Sequence, residues 1–301
     1  MLETDLLLDR RRLKRRLNFW RVAAVVAVAA AVLAAWRPSG LPGGRHVARV
    51  NVTGVITEDR KLLEAVAALA EDASVPAVIV SINSPGGSVA GGESLHAALS
   101  RVAAHKPVVA VMRGTAASAG YMAALPAARI FARDSTLTGS IGVILQTGEV
   151  SGLLDRLGVS AESITSGPLK DQPNFFRPLT PQGREYLNGL VRDMYEQFVG
   201  MVAQARRLDP ARVRDLADGR AYTGRQAREL GLVDEIGGET EARDWLARER
   251  GVPTGVPARD VKPGGFYERT MGAALQGMWQ ALLDHVASPA AWAIWQGGPA
   301  R

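Results

Sequence analysis

Residues 77–87 read AVIVSINSPGG. Ala77–Ile82 is a short run that is apolar almost throughout, which is how a strand reads when both of its faces are buried in a parallel sheet. Asn83-Ser84-Pro85-Gly86-Gly87 follows it directly and opens a helix expected over 88–104. Two glycines after a proline let backbone approach a ligand and turn amides outward. A helix N-terminus adds partial positive charge, which favours an oxyanion there. Taken alone, the motif is also an ordinary strand–helix turn.

The pattern returns thirty residues on. Lys106-Pro107 leads into VVAVM, a second buried strand over 107–112, and then Thr115-Ala116-Ala117-Ser118-Ala119-Gly120-Tyr121. Ser118 falls where a helix through Leu125 begins. A serine on a tight strand-to-helix turn exposes its hydroxyl and leaves the next amide, that of Ala119, free to donate. A serine at the same place also serves as an ordinary helix cap.

Working outward, HVARVNVTGVIT (46–57) alternates, is rich in β-branched residues and reads as a strand. Residues 62–72 have helical spacing. Arg129–Ala132 and Ile141–Gln146 read as short strands, and Ser151–Leu157 as a helix. Residues 180–208 carry Tyr186, Leu190, Met194, Phe198 and Val202 at helical spacing after Thr180-Pro181, a cap followed by proline at the first helical position. Two shorter helices are expected within 223–249, around Gly231-Leu232-Val233-Asp234. Strand–helix alternation of this kind implies a layered α/β fold. Residues 250–265 read as a Pro/Gly-rich linker, and 266–296 as a last helical stretch containing Met271, Met278, Trp279, Leu282, Trp292 and Trp295. That stretch suits docking on the domain's own surface, or contact with a partner or membrane surface.

The 301 residues have no cysteine, which excludes disulfides, thiol catalysis and cysteine-held metals. The four histidines, His46, His96, His105 and His285, are too scattered to suggest a metal site. The formal charge of +6 is concentrated at one end. Residues 1–21 hold seven Arg/Lys against three acids, and the excess lies beside an apolar run. Membrane topology accounts for it better than nucleic acid does. The run VAAVVAVAAAVLAAW (22–36), extended by Phe19 and Trp20, approaches the roughly 20 residues of a spanning helix. The positive-inside rule places residues 1–21 in the cytoplasm and everything beyond about residue 38 outside. A cleaved signal peptide, cut near Val32-Leu33-Ala34, is the competing reading. Residues 37–45 (RPSGLPGGR) read as a linker, 46–249 as the main domain, and 250–301 as linker plus helical extension.

A serine hydroxyl attacks only when a base takes its proton. No histidine occurs between Ser118 and His285, so support for a Ser-His-Asp triad is weak. Lysine can be the base if burial removes its proton near neutrality, at a cost of about 4–5 kcal/mol. Arginine cannot. Only five of the 36 basic residues are lysines, and Lys170, in Thr165-Ser166-Gly167-Pro168-Leu169-Lys170-Asp171, is the sole lysine between 107 and 261. A loop lysine is otherwise usually a solvated surface group. Asp171 opposes the loss of its proton unless that carboxylate points away.

These motifs together resemble the signal peptide peptidase A (SppA) family in its short bacterial form, membrane-anchored serine proteases of the Clp/crotonase superfamily. The resemblance spans about 46–247. It rests on Asn83–Gly87, Ala116–Tyr121, Leu137-Thr138-Gly139-Ser140-Ile141-Gly142-Val143, Ser166-Gly167 through Lys170-Asp171, Ala217-Asp218-Gly219-Arg220 and Gly231–Asp234. It implies a Clp/crotonase-like layered fold of repeated strand–strand–helix units behind an N-terminal transmembrane helix. It implies Ser118 as nucleophile, Lys170 as general base, Ser140 as the hydroxyl that orients the lysine, and Gly87 and Ala119 as oxyanion-hole amides. Ala119-Gly120 stands where the family commonly has Gly-Gly, which keeps the amide and narrows the pocket. The resemblance further implies apolar peptide substrates such as cleaved signal peptides, no cofactor, and a homo-oligomeric, octameric ring whose dyads are completed between neighbours. Nucleic acid is not among the implied partners. Alternatives are an acyl-CoA enzyme of crotonase type, a non-catalytic membrane scaffold of the same fold, and a related protease that cuts intact membrane or secreted proteins.

Overall fold

A computed structural model describes residues 20–28 and 44–262. The chain divides into two units, and Arg45–Pro263 is the one that holds the sheet. In the other unit residues 20–28 are helical, with Trp20, Val22, Val25, Val26 and Val28 exposed. Among the described residues no helix is long and apolar enough to cross a membrane. The expected anchor over 22–36 continues beyond residue 28, outside the described residues, as does the stretch 266–296.

Within Arg45–Pro263 the strands are β1 (Val47–Ile56), β2 (Val78–Gly87), β3 (Val108–Ala117), β4 (Arg129–Ala132), β5 (Leu137–Gly139), β6 (Ala221–Thr223), β7 (Glu235–Ile236) and β8 (Ala258–Asp260). The helices are α1 (Arg60–Ala68), α2 (Val89–Ala103), α3 (Ala119–Ala124), α4 (Ser151–Arg156), α5 (Pro181–Arg206), α6 (Pro210–Leu216), α7 (Gly224–Glu229) and α8 (Glu239–Arg250). One sheet runs β6-β5-β3-β2-β1-β8, and β4 joins β3 to β7. All pairs are parallel except β5 with β6. β3 serves two neighbours on one edge: Val109–Met112 pair with β4, then Thr115–Ala117 with β5.

The unbroken apolar run of β2 has a physical cause. Side chains alternate across a sheet. Val78, Val80 and Ile82 enter the larger core with Leu95, Leu99 and Phe198, while Ala77 and Ile79 enter a second core with Phe131, Trp245 and Leu246 of α8. Helices therefore cover both faces, as a parallel sheet requires.

Several sequence expectations change. Asn83–Gly87 belongs to the end of β2, and α2 starts only after Ser88, whose hydroxyl accepts the Gly91 N–H at 3.1 Å. The strand expected over Ile141–Gln146 is absent. Pairing stops at Gly139, Ser140 has φ +47°, and Ile144 and Leu145 are exposed with no neighbouring strand to pair with. The apolar, β-branched composition there gave the signal, but a strand also needs a partner edge. The linker expected from 250 contains β8, which pairs with Val47–Arg49 of β1. Helix α6 went unnoticed, although Asp209-Pro210 caps it as Thr180-Pro181 caps α5.

None of residues 142–182 is buried. Helix α5 is 26 residues long, and its buried positions concentrate at Phe198, Val199, Val202 and Ala203. Its first half has only Gly183 and Leu187 buried.

Candidate active site

Ser118 sits at the junction of β3 and α3 with φ +53° and ψ −121°. An L-residue pays for such a backbone, and strained serines of this kind mark functional turns. The residue occupies the N-cap position of α3, yet its side chain makes no capping hydrogen bond. The hydroxyl is thus not used as the ordinary capping reading requires. The Ser118 N–H donates to the Gly139 carbonyl at 2.9 Å, and its carbonyl accepts from Tyr121 and Met122 at 2.8 and 3.0 Å.

The helix behind Ser118 is immobilised by burial. Ala119 through Ala124 are all buried. The Tyr121 hydroxyl donates to the Leu232 carbonyl at 2.8 Å. Burial pushes the pKa of that phenol well above its ordinary value, so it remains a donor. Arg206 in turn grips Asp234 through two bonds of 2.7 and 3.1 Å and donates to the Gly231 carbonyl at 2.9 Å. Asp234 also accepts the Ile130 N–H at 2.7 Å. The Gly231–Asp234 motif is therefore the seat on which the serine helix rests.

The glycine turn lies against the serine. A Cβ on Gly86, which has φ +118°, would stand 2.9 Å from Ser118 Cβ and 3.3 Å from Ser118 Oγ. Gly87 is opposite Ile56 of β1, and the N–H that donates to the Ile56 carbonyl is that of Ser88, at 3.0 Å. Successive amides of an extended chain face opposite ways. The Gly87 N–H is thus on the side of β2 away from β1, where β3 carries Ser118. Ala119 opens α3 with one of the amides that a helix start leaves without an intrahelical acceptor.

Ser140 follows Gly139, which pairs with Ala117 and whose carbonyl accepts the Ser118 N–H at 2.9 Å, so it lies just past the end of the β3–β5 ladder. It too has positive φ, at +47°. Its N–H donates to the Arg220 carbonyl at 2.9 Å. Asp218 closes that turn by accepting from the Arg220 backbone at 3.1 Å and from its side chain at 2.7 and 2.9 Å. The Ala217–Arg220 motif thereby positions Ser140. Sequence reasoning quoted two residues within motifs without a role for either: Asn83, whose side chain accepts the Thr115 N–H at 3.2 Å, and Thr138, which donates to the Ala116 carbonyl at 2.8 Å. Both stitch the strand ends that carry Ser118; their signal was a polar side chain inside an otherwise apolar strand.

Lys170 is placed differently. It is exposed, in a turn where its N–H donates to the Gly167 carbonyl at 3.2 Å, within the unburied 142–182 segment. Asp171 beside it is engaged by Asn174 at 2.6 Å and by Arg177. Those partners hold its carboxyl below the ordinary range, the Asn174 hydrogen bond foremost. Within the single chain, then, Ser118, Ser140, Gly86, Gly87 and Ala119 come together. Among the described residues no hydrogen bond joins Lys170 to either serine. No three His, Asp or Glu side chains among those residues converge as a metal site would need.

The pattern of peptidase family S49 matches residues 100–253, which is half of the chain. The chain belongs to peptidase family S49. The Clp protease pattern matches residues 49–149, in keeping with the mixed α/β sheet. A Synechocystis protein provisionally named a protease is 41% identical over 69% of this chain and 76% of its own length. An Enterococcus faecium protein provisionally named signal peptide peptidase SppA is 33% identical over 81% of this chain and 76% of its own. The chloroplastic serine protease SPPA of Arabidopsis thaliana is 30% identical over 71% of this chain and 34% of its own. Both motifs that meet at the glycine turn lie in matched regions: Asn83–Gly87 in the Clp-type match and Ser118 in both. This S49 chain is a serine protease of SppA-like type.

Proposed function

We propose that the chain is a membrane-anchored endopeptidase working by a Ser-Lys dyad. Ser118 is the nucleophile and neutral Lys170 takes its proton. Ser140 orients the lysine amine, and the amides of Gly87 and Ala119 hold the oxyanion. The acyl-enzyme is then cleared by water. One observation carries the reading: a non-capping serine with φ +53° stands against the glycine turn at the first amides of a buried helix.

The exposure of Lys170 bears on assembly. The segment that carries it also exposes Ile144, Leu153, Leu157, Ile164, Phe175 and Phe176, with Ile164 at 96%. So much apolar surface around one lysine favours cover by a second copy of the chain. The dyad is then completed in a homo-oligomer, an octameric ring by family resemblance. Residues 22–36 anchor the ring, with the catalytic domain outside the cytoplasm. Extended apolar peptides, such as remnants of signal peptides, are the substrates.

The test is casein hydrolysis by full-length wild type beside Ser118→Ala, with assembly followed by gel filtration. The variant should lose at least about a thousandfold in kcat while assembling normally. Retained activity would remove Ser118 from the chemistry.

A further inference from the structure

Ser84 is a fully buried polar residue, at 0% exposure, in the turn that faces Ser118. Its hydroxyl oxygen accepts the Gly86 N–H at 3.1 Å, and its O–H is directed to the Gly86 carbonyl at 3.3 Å. Both backbone groups of one residue curl onto one hydroxyl because Gly86 has φ +118°, a conformation that favours glycine. The Gly86 carbonyl and the Gly87 N–H belong to the same planar trans peptide and point in opposite directions. Whatever holds the first therefore aims the second. Ser84 is also tied to the nucleophile's own elements. It pairs with Ala116 of β3, and its carbonyl would lie 3.0 Å from a Cβ on Gly120 of α3.

We propose that Ser84 is the positioning residue of the oxyanion-binding turn: its hydroxyl fixes the 86–87 peptide so that the Gly87 N–H faces the carbonyl attacked by Ser118. The inference rests on the protease reading above. Loss of the hydroxyl leaves both the Gly86 N–H and the Gly86 carbonyl without their partner, and loss of the bond to the carbonyl lets the 86–87 peptide rotate. An amide aimed only at the transition state affects kcat and leaves ground-state binding alone.

The experiment compares full-length wild type, Ser84→Ala, Ser84→Thr and Ser118→Ala on a fluorogenic casein peptide. Acetyl-Leu-Leu-norleucinal serves as an inhibitor whose adduct with serine places an oxygen in the same hole. Ser84→Ala should lower kcat roughly ten- to a hundredfold. Its KM should stay within about twofold, with inhibitor affinity weakened in step with kcat. Ser84→Thr, which restores the hydroxyl, should recover most of both. Wild-type kcat in Ser84→Ala, a change confined to KM, or a fall in kcat with undiminished aldehyde affinity overturns the proposal. If the alanine variant fails to assemble, Ser84→Cys keeps the buried volume and weakens the bonds. A folded cysteine variant with wild-type kcat is then the overturning result. An active Ser118→Ala would sink the nucleophile assignment instead, so the two failures are distinguishable.

Discussion

Gly86 and Ser118 are in contact across the ends of β2 and β3, with room for no further carbon between them: a Cβ on Gly86 would approach Ser118 Cβ to 2.9 Å. Gly86 also has φ +118°, so alanine there is strained even before it meets the serine. Gly86→Ala should therefore abolish hydrolysis and cost about 1–3 kcal/mol in stability. Urea unfolding beside an activity assay reads both. An active, equally stable variant would show that the two strands can part without consequence.

Lys170→Arg should be as inactive as Lys170→Ala, because a guanidinium cannot accept the serine proton. Arginine keeps the charge and length, so any rescue by it would show that Lys170 acts only as a cation. Because Lys170 is exposed in the single chain, activity should also depend on assembly. Specific activity measured over a dilution series should fall as the oligomer dissociates. A constant value down to monomer would place the base within one subunit.

Arg206→Ala should destabilise the domain by about 3 kcal/mol, since it leaves Asp234 half-buried without its cation. The side chains of Arg206 and Asp234 are only 10% and 20% exposed, unlike the outlying Arg60–Glu64 pair at 89% and 63%. Arg60→Ala should leave stability almost unchanged, because that pair is solvated and screened. Chemical denaturation of the two variants side by side tests the contrast, and equal effects would contradict it.

His96 gives a pH dependence with a defined sign. Burial holds its imidazole below the ordinary 6.5. As pH falls, the unfolded chain binds the proton first, so this contribution is complete above about pH 6.5 and is lost progressively from there as pH falls through the lower folded value. His96→Gln should flatten the drop in melting temperature between pH 7 and pH 5. An identical slope in both proteins would contradict the assignment.

Much of the site was legible because it is written in short, local runs. The doubly apolar strand of β2, the small residues about Ser118 and the Thr180-Pro181 start of α5 each follow from steric and capping rules acting over a few residues. The missed parts depend on distant neighbours. Nothing local in 141–146 says that no strand will pair with it, and nothing in 258–260 says that β1 offers an edge. Ser84 read as one letter of a turn because its two bonds appear only once Gly86 has taken positive φ.

The sequence by itself determined the alternation of strands and helices, the asymmetry of charge about residues 1–21 and which side chains are candidates for the chemistry, since periodicity, charge and functional-group chemistry need no partner to be read. Tertiary structure alone decided which amide faces Ser118, what seats its helix, and that Lys170 lies on an unburied segment. Those are matters of direction and burial, fixed only when strands far apart in the chain come into register.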